Sequence, residues 1–198
     1  AVQVQKGTVT INGGHFAVEA FSNPDYGCEF MLNCIDAAYK NGTAKIIVKG
    51  GTFVNFNPAN CKAEGAGTNF VADGYGVVAT PQANGDVWYT VVEKVADGKS
   101  FTSGATLSTG ITATKPDAIA VKAIGADAAV TILDGTFDGG SGGNNICVAA
   151  ANGAKVTIKG GTFTVGGDAN GIGNSVIYSQ GGDITIEGGF FYTDCSYK

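Results

Sequence analysis

The sequence contains no arginine, and all twelve of its basic residues are lysine. Arginine guanidinium groups bind phosphate and carboxylate through paired hydrogen bonds. Bidentate recognition of these groups is therefore excluded. The formal net charge is −5, and the lysines form no basic stripe along the chain. We therefore expect no nucleic-acid partner.

Long apolar runs are also missing, since no stretch approaches the roughly 18 uninterrupted apolar residues of a membrane-spanning helix. Membrane insertion is therefore not expected. Proline is scarce, with 4 residues, whereas glycine is abundant, with 32. Such a chain turns often and still keeps the N–H donors that a sheet needs. The hydrophobic content of 44% and the lack of a triplet glycine period exclude disorder and collagen.

The five cysteines include no Cys-x-x-Cys pair, so the usual spacing of a zinc site is absent. An odd number of cysteines also cannot form a closed disulfide framework. Free, largely buried thiols are expected, and one disulfide between Cys28 and Cys34 stays open as the alternative in an oxidising compartment. The cysteines are Cys28, Cys34, Cys61, Cys147 and Cys195.

Five segments share one pattern, in which two aliphatic residues at alternate positions precede glycine and then phenylalanine. The alternation places both aliphatic residues on one face of a short strand. Glycine then permits a sharp corner that a Cβ would obstruct. The segments are VTINGGHF (9–16), IIVKGGTF (46–53), VTILDGTF (130–137), VTIKGGTF (156–163) and ITIEGGFF (184–191).

Strands this short with one apolar face are stable only when stacked on copies of themselves. Gly135 and Gly161 are 26 residues apart, and Gly161 and Gly189 are 28 apart, which leaves room for three short strands per repeat. The sequence therefore predicts an all-β right-handed parallel β-helix, a solenoid with a stack of phenylalanines inside it. The predicted stack contains Phe16, Phe53, Phe137, Phe163 and Phe191.

The repeats fall into two groups, and the chain between them breaks their period. We predict β-helix repeats at 1–56 and 113–198, separated by an irregular insert at 57–112. Inside the insert, alternating strands flank an Asn84-Gly85 turn and predict a β-hairpin. The hairpin is interpreted as a cap or side-packing element, with a ligand platform as the alternative.

Candidate catalytic residues are few, although polysaccharide lysis and hydrolysis need clustered or paired carboxylates. Asp134 and Asp138 are the best carboxylate pair and could hold a cation with Asn144, but turn formation explains them more simply. The string GGDANGIGN at 166–174 lacks the lysine of a phosphate loop, and His15 is expected at a solvent-side corner. We expect no catalytic, cofactor-binding or metal site.

The strings IIVKGGTFVNFNPAN, EGAGTNFVADGYGVV and VTIKGGTF resemble the β-helical repeats of head-fibre and related virion proteins of tailed phages from gut bacteria. Similar repeats occur in bacterial surface proteins. The resemblance covers nearly the whole chain and implies a fibre of a virion or a cell surface. One departure is that the GTNFVADGY segment is typical of the end of a repeat array, whereas a second array follows it here.

The first and last repeats predict how copies of the chain associate. One hypothesis is that residues 184–198 of one subunit stack on residues 1–16 of another, in a head-to-tail homo-oligomer or fibre. The alternative, that flanking residues of a longer chain complete these repeats, stays open. The predicted assembly residues are Val2, Val4, Val9 and Ile11 at one end, and Ile184, Ile186 and Phe190 at the other.

The expected function is that of a non-enzymatic structural subunit of a fibre, filament or virion decoration, located on a virion or extracellularly at a cell surface. A carbohydrate-binding surface adhesin module is the alternative, with a cell-surface glycan or other virion proteins as partners, and a polysaccharide lyase or hydrolase comes third. Aromatic side chains suit sugar stacking. The candidates are Tyr75, Trp88, Tyr89, Tyr178, Tyr192 and Tyr197.

Overall fold

The computed structural model describes residues 2–18, 31–167 and 173–194. These residues form an all-β protein whose strands pair mainly in parallel, with one short helix, α1 (Asp36–Lys40). The strands are β1 (Val2–Val4), β2 (Gly7–Phe16), β3 (Leu32–Cys34), β4 (Ala44–Val54), β5 (Tyr75–Pro81), β6 (Val87–Val95), β7 (Lys99–Phe101), β8 (Ala105–Leu107), β9 (Gly110–Ala113), β10 (Ile119–Ile124), β11 (Ala129–Ile132), β12 (Thr136–Asp138), β13 (Ile146–Ala151), β14 (Lys155–Ile158), β15 (Thr162–Gly166), β16 (Ser175–Gln180), β17 (Asp183–Ile186) and β18 (Phe190–Asp194).

The chain divides into two compact units, residues 1–91 and 92–198. The second unit contains four successive groups of three strands, which we call repeat units: β7–β9, β10–β12, β13–β15 and β16–β18. Each strand pairs in parallel with the strand at the same place in the next repeat unit, so three parallel ladders run through the groups. The chain thus visits the three ladders in the same order four times.

The pairing register places like residues of successive repeat units side by side. Val130, Val156 and Ile184 are aligned, as are Ile132, Ile158 and Ile186. The threonines between them, Thr131, Thr157 and Thr185, are aligned on the opposite face. Period-two alternation therefore gives one aliphatic face, which is buried wherever a repeat unit has a neighbour on both sides.

Phenylalanines extend this buried face around the next corner. Phe137, Phe163 and Phe191 are aligned in the third ladder. Their ring centroids are 5.1 and 4.9 Å apart and the rings are nearly parallel. Phe137 and Phe163 have no exposed surface. The rings therefore pack as a continuous column inside the second unit.

The first unit repeats the arrangement on a smaller scale. β1 pairs in parallel with β3, and β2 pairs in parallel with β4. Phe16 and Phe53 stack at 4.8 Å with an interplanar angle of 6°. The strands predicted for the hairpin are β5 and β6, which pair with each other, and residues 88–91 of β6 also pair antiparallel with β4.

Regular packing begins earlier than the predicted boundary at residue 113. Strands β7, β8 and β9 lie inside the segment predicted as an irregular insert, yet they form a full repeat unit that pairs with β10, β11 and β12. The repeat was hidden because this segment lacks the Gly-Gly-aromatic string. Ala105 and Leu107 occupy the places of the aliphatic pair, and a Cβ on Gly110 would lie 1.8 Å from the Thr136 carbonyl oxygen.

No helix among the described residues has the length and hydropathy needed to cross a membrane.

We expect replacement of Phe163 by alanine to lower the free energy of unfolding by about 3–5 kcal/mol, because it opens a cavity within the ring column. The matched control is Phe190→Ala, in the same repeat motif but 63% exposed, which should change it by about 0.5 kcal/mol or less. Urea unfolding followed by circular dichroism compares the two. Equal losses would show that the ring column does not stabilise the unit.

Candidate functional site

Two sets of strands lie at the edges of their ladders. β16, β17 and β18 each have one ladder neighbour, in the preceding repeat unit, among the described residues, and we call them the β16–β18 edge. β1 and β2 likewise each have one ladder neighbour in the described part of the chain, and we call them the β1–β2 edge. A strand edge presents N–H and C=O groups that can pair with a further strand.

Apolar side chains are uncovered at the β16–β18 edge. Ile132 and Ile158 have no exposed surface, whereas Ile186, at the same place in the last repeat unit, is 50% exposed. Phe191 is likewise half-buried where Phe163 is fully buried. These residues share the same strand position and differ in whether a further repeat unit covers them. The edge thus exposes surface that elsewhere forms the core.

The predicted assembly residues are distributed between the two edges. Ile184 is half-buried and Phe190 is 63% exposed at the β16–β18 edge. At the β1–β2 edge, Val2 and Val9 are half-buried. Val4 and Ile11 are only 4% and 6% exposed, and both pack within the core of the first unit. The β16–β18 edge is therefore the more apolar of the two surfaces.

The two edges also differ in charge. Residues 173–194 contain three acidic residues and no basic one, whereas residues 2–18 contain Lys6 and His15 and no acidic residue. At the β16–β18 edge, Oε2 of Glu187 lies 3.8 Å from Nζ of Lys159 in the preceding repeat unit. Opposite charges on the two edges favour their approach and disfavour pairing of like edges.

A ladder of asparagines fixes one corner of the repeat units. The side-chain amide of Asn145 donates to the carbonyl oxygens of Gly139, at 2.6 Å, and Lys115, at 3.1 Å. Its Oδ1 accepts from the N–H of Asp117 in the preceding repeat unit, and its own N–H donates to Oδ1 of Asn174 in the next. Asn145 is fully buried, so these bonds satisfy groups that water cannot reach.

Sequence reasoning missed this ladder. Its signal was a pair of asparagines, Asn145 and Asn174, each directly before the first strand of its repeat unit. Asn174 repeats the pattern, since its amide donates to the carbonyl oxygens of Gly166, at 2.6 Å, and Gly142, at 3.3 Å. Nothing in the sequence alone separates such asparagines from ordinary turn residues.

The carboxylates that were weighed as a cation site do not act together. Oδ1 of Asp138 accepts from the N–H of Gly140 within its own turn. Asn144 instead bonds to Asp117, through its N–H at 2.8 Å and its side-chain amide at 3.3 Å, and Asp134 is exposed. Among the described residues, no three His, Cys, Asp or Glu side chains form a group that could hold a metal ion.

One shallow depression lies beside Asp138. It has a volume of about 260 Å³, and Asp138 is the only charged residue among those lining it. The other lining residues are Ala113, Thr114, Gly140, Ser141 and Gly166. One carboxylate, already bonded to a backbone N–H, offers a polar surface with no aromatic platform beside it.

Of the described aromatic candidates, Tyr178 and Tyr192 lie at the β16–β18 edge, and the other three lie on the hairpin strands β5 and β6. His15 is exposed and meets Trp88 edge-on, with ring centroids 5.0 Å apart, and Trp88 is 38% exposed. Tyr178 and Tyr192 are 41% and 51% exposed on the last repeat unit. Tyr75 and Tyr89 are half-buried. Tyr197 lies outside the described residues.

Three cysteines, Cys34, Cys61 and Cys147, are free and buried. Burial raises the pKa of the Cys34 and Cys61 thiols, and the nearby Glu64 carboxylate adds to the rise. Oε1 of Glu64 accepts from the N–H of Cys34 at 2.5 Å, a contact that the sequence did not suggest. Cys28 and Cys195, and with Cys28 the alternative Cys28–Cys34 disulfide, lie outside the described residues, as do residues 168–172 of the string weighed as a phosphate loop.

The chain matches no protein-family model, no curated protein and no solved structure. We therefore infer its function from the two edges and from the burial of the residues along them.

We expect Asn145→Ala to lower the free energy of unfolding by about 3 kcal/mol, because it removes a buried amide that bonds the backbone of Gly139, Lys115 and Asp117 and leaves the buried Gly139 carbonyl without its partner. Asn145→Asp should be more harmful at pH 7 than at pH 4, since a buried carboxyl has a raised pKa and loses its stabilising proton as the pH rises. Asn144→Ala, at an exposed position, is the control. Unfolding curves at both pH values test this, and equal losses at positions 144 and 145 would contradict it.

Burial raises the pKa of the Cys147 thiol to about 12 from 9.0. The folded chain keeps this proton between these two pH values while the unfolded chain loses it, so the thiol's contribution to stability is intact below pH 9 and falls above it. From pH 7 to pH 10.5 under reducing conditions, wild type should lose about 2 kcal/mol more than Cys147→Ala. Other titrating groups cancel between the two proteins, and parallel pH profiles would rule the effect out.

Proposed function

We propose that this chain is a non-enzymatic structural subunit that assembles with copies of itself through the β16–β18 and β1–β2 edges. The assembly would be a fibre, a filament or a decoration of a virion or cell surface, which is the setting that the repeat resemblance implies. The observation that carries the proposal is the exposure of Ile186, which is 50%, against zero for Ile158 at the equivalent place.

The fold that we propose for each unit is a right-handed parallel β-helix. Support comes from the repeated visiting order of the three ladders and from the aligned aliphatic and phenylalanine columns. Parallel strands joined by a crossover are right-handed in the great majority of proteins. In such a fold a new repeat unit joins the stack by the same contacts that hold the existing ones together.

Burial supplies the driving force for assembly. Covering the exposed half of Ile186 stabilises the contact by about 1 kcal/mol, and the other half-buried side chains of the edge add to this. Backbone pairing between the strands of the two edges gives the contact its direction and register. The contact therefore reproduces the packing inside the unit.

A carbohydrate-binding surface module is the second candidate, and Trp88 favours it. The indole is 38% exposed and its edge-on contact with His15 holds it at the surface. Aromatic faces stack on sugar rings. A glycan array with wild type and Trp88→Ala tests this function, and it fails if both proteins give the same binding pattern.

We expect the molar mass of the wild-type protein to rise with concentration in multi-angle light scattering, and electron micrographs to show elongated assemblies. Ile186→Lys should abolish both, because it places a charge in the contact. Leu133→Lys is the matched control, since Leu133 is 46% exposed but lies within the stack. It should assemble like wild type. A wild-type protein that stays monomeric up to millimolar concentration would refute self-assembly.

A further inference from the structure

The repeat units at the two edges have the same length and pattern. Residues 177–191 align with residues 2–16 without a gap, each residue matching the one 175 positions earlier. Seven of these fifteen positions are identical, including Ile186 with Ile11 and Phe191 with Phe16. In this alignment β1 corresponds to β16, and β2 corresponds to β17 and the start of β18. The corner glycines and the phenylalanine of the two segments coincide.

The packing inside each unit shows how such segments meet. Ile158 pairs with Ile186, and Ile11 pairs with Val48, each through one side of its strand. Among the described residues, no strand pairs with the other side of β17 or of β2. Laying residues 2–16 over 177–191 places Ile11 on Ile186 and Val9 on Ile184. Ile11 is already only 6% exposed, so the surface that this contact newly covers is mainly that of Ile184 and Ile186.

The phenylalanine columns continue in the same register. Phe191 is the outer ring of one column and Phe16 is the outer ring of the other, and both are half-buried. The existing rings stack at 4.8 to 5.1 Å, which is the spacing of paired strands. Phe16 placed on Phe191 therefore covers both exposed ring faces.

The corner glycines permit this close approach. A Cβ on Gly161 would lie 2.8 Å from the carbonyl oxygen of Gly135 in the preceding repeat unit. The residue that would occupy this place above Gly189 is Gly14. Because Gly14 also lacks a Cβ, its backbone can lie over Gly189 as closely as Gly161 lies over Gly135.

Charge selects the polarity of the contact. Asp183 lies in β17 with Glu187 directly after it, and Lys6 lies between β1 and β2. Two β16–β18 edges facing each other would bring carboxylates together, whereas the opposite edge brings a cation. Two unlike edges also allow a third copy to join, since each addition leaves one edge of each kind free.

We propose that residues 2–16 of a second copy of this chain stack on residues 177–191 in parallel, each residue n lying on residue n + 175. This inference rests on the proposed function and names the partner, the polarity and the register of the contact. The β1–β2 edge of one copy then pairs in parallel with the β16–β18 edge of the other.

Cysteine cross-linking measures the register directly. Thr10 and Thr185 are both exposed and lie opposite each other in this register. Their Cα atoms would be about 4.8 Å apart, within the range that a disulfide bridges. Thr10→Cys and Thr185→Cys are made in separate chains and mixed, so that any bond between these positions joins two molecules. Mild oxidation and peptide mass spectrometry then identify the 10–185 bond among those of the native cysteines.

A shifted pair is the matched control. Thr8→Cys mixed with Thr185→Cys places the two Cα atoms about 8 Å apart, beyond disulfide reach. We expect the yield of the 10–185 disulfide to be at least tenfold higher than that of the 8–185 disulfide. The 10–185 disulfide should be lost when the Thr185→Cys chain also carries Ile186→Lys. Circular dichroism confirms that each variant is folded.

The outcomes separate this inference from the proposed function. If the chains associate but give the 8–185 bond, or if Thr10→Cys alone gives a 10–10 bond, the register or polarity is refuted and self-assembly stands. If neither variants nor wild type associate, both proposals fail.

Discussion

Pairing of whole repeat units at the spacing of adjacent strands is the constraint on which the rest of this structure depends. A three-residue strand such as β12 has one buried side chain and cannot be stable alone. It becomes stable because Phe137 lies on Phe163, and because the neighbouring ladders hold the same register. The register in turn requires that nothing intrude between the repeat units. Gly161 meets this need, since a Cβ there would press on the backbone of Gly135.

Close stacking also requires buried polar groups to find their hydrogen-bond partners within the protein. At the corner before β13 the Asn145 side chain is fully buried, where water cannot reach its amide. Asn145 replaces that water by bonding three different segments of backbone, which makes the corner part of the core. Cys147, two residues later, is buried in the same packing, and its sulfhydryl donates to the Phe137 carbonyl oxygen at 3.3 Å. The raised pKa of this thiol and the asparagine ladder have a common origin in the exclusion of water.

The all-β class and the alignment of the repeats follow from sequence because both depend on a local period. The alternation in Val156-Thr157-Ile158 indicates which side chains face inward and which face outward. The glycine and phenylalanine after it indicate the corner. The repeat unit of β7–β9 was not predicted, because Ala105 and Leu107 hold the aliphatic places without the Gly-Gly-aromatic string that marked the others. The partners of Asn145 and Glu64 were out of reach for a different reason. Each bonds residues about 30 positions away, and such contacts leave no local pattern.

The edges follow from the same physics as the core. A repeat unit inside the stack has its isoleucine covered on both sides, as Ile158 has, whereas Ile186 has one side open. The free energy gained by burying Ile186 does not depend on which chain supplies the covering repeat unit, provided that this unit has the same length and the same corner glycines. Residues 2–16 have the same overall length and the same corner glycines as residues 177–191, and Lys6 lies two positions from the residue that would face Asp183. A repeat built to stack within one chain is thereby also suited to stack between chains, and the opposite charges of the proposed contact would give it a single direction.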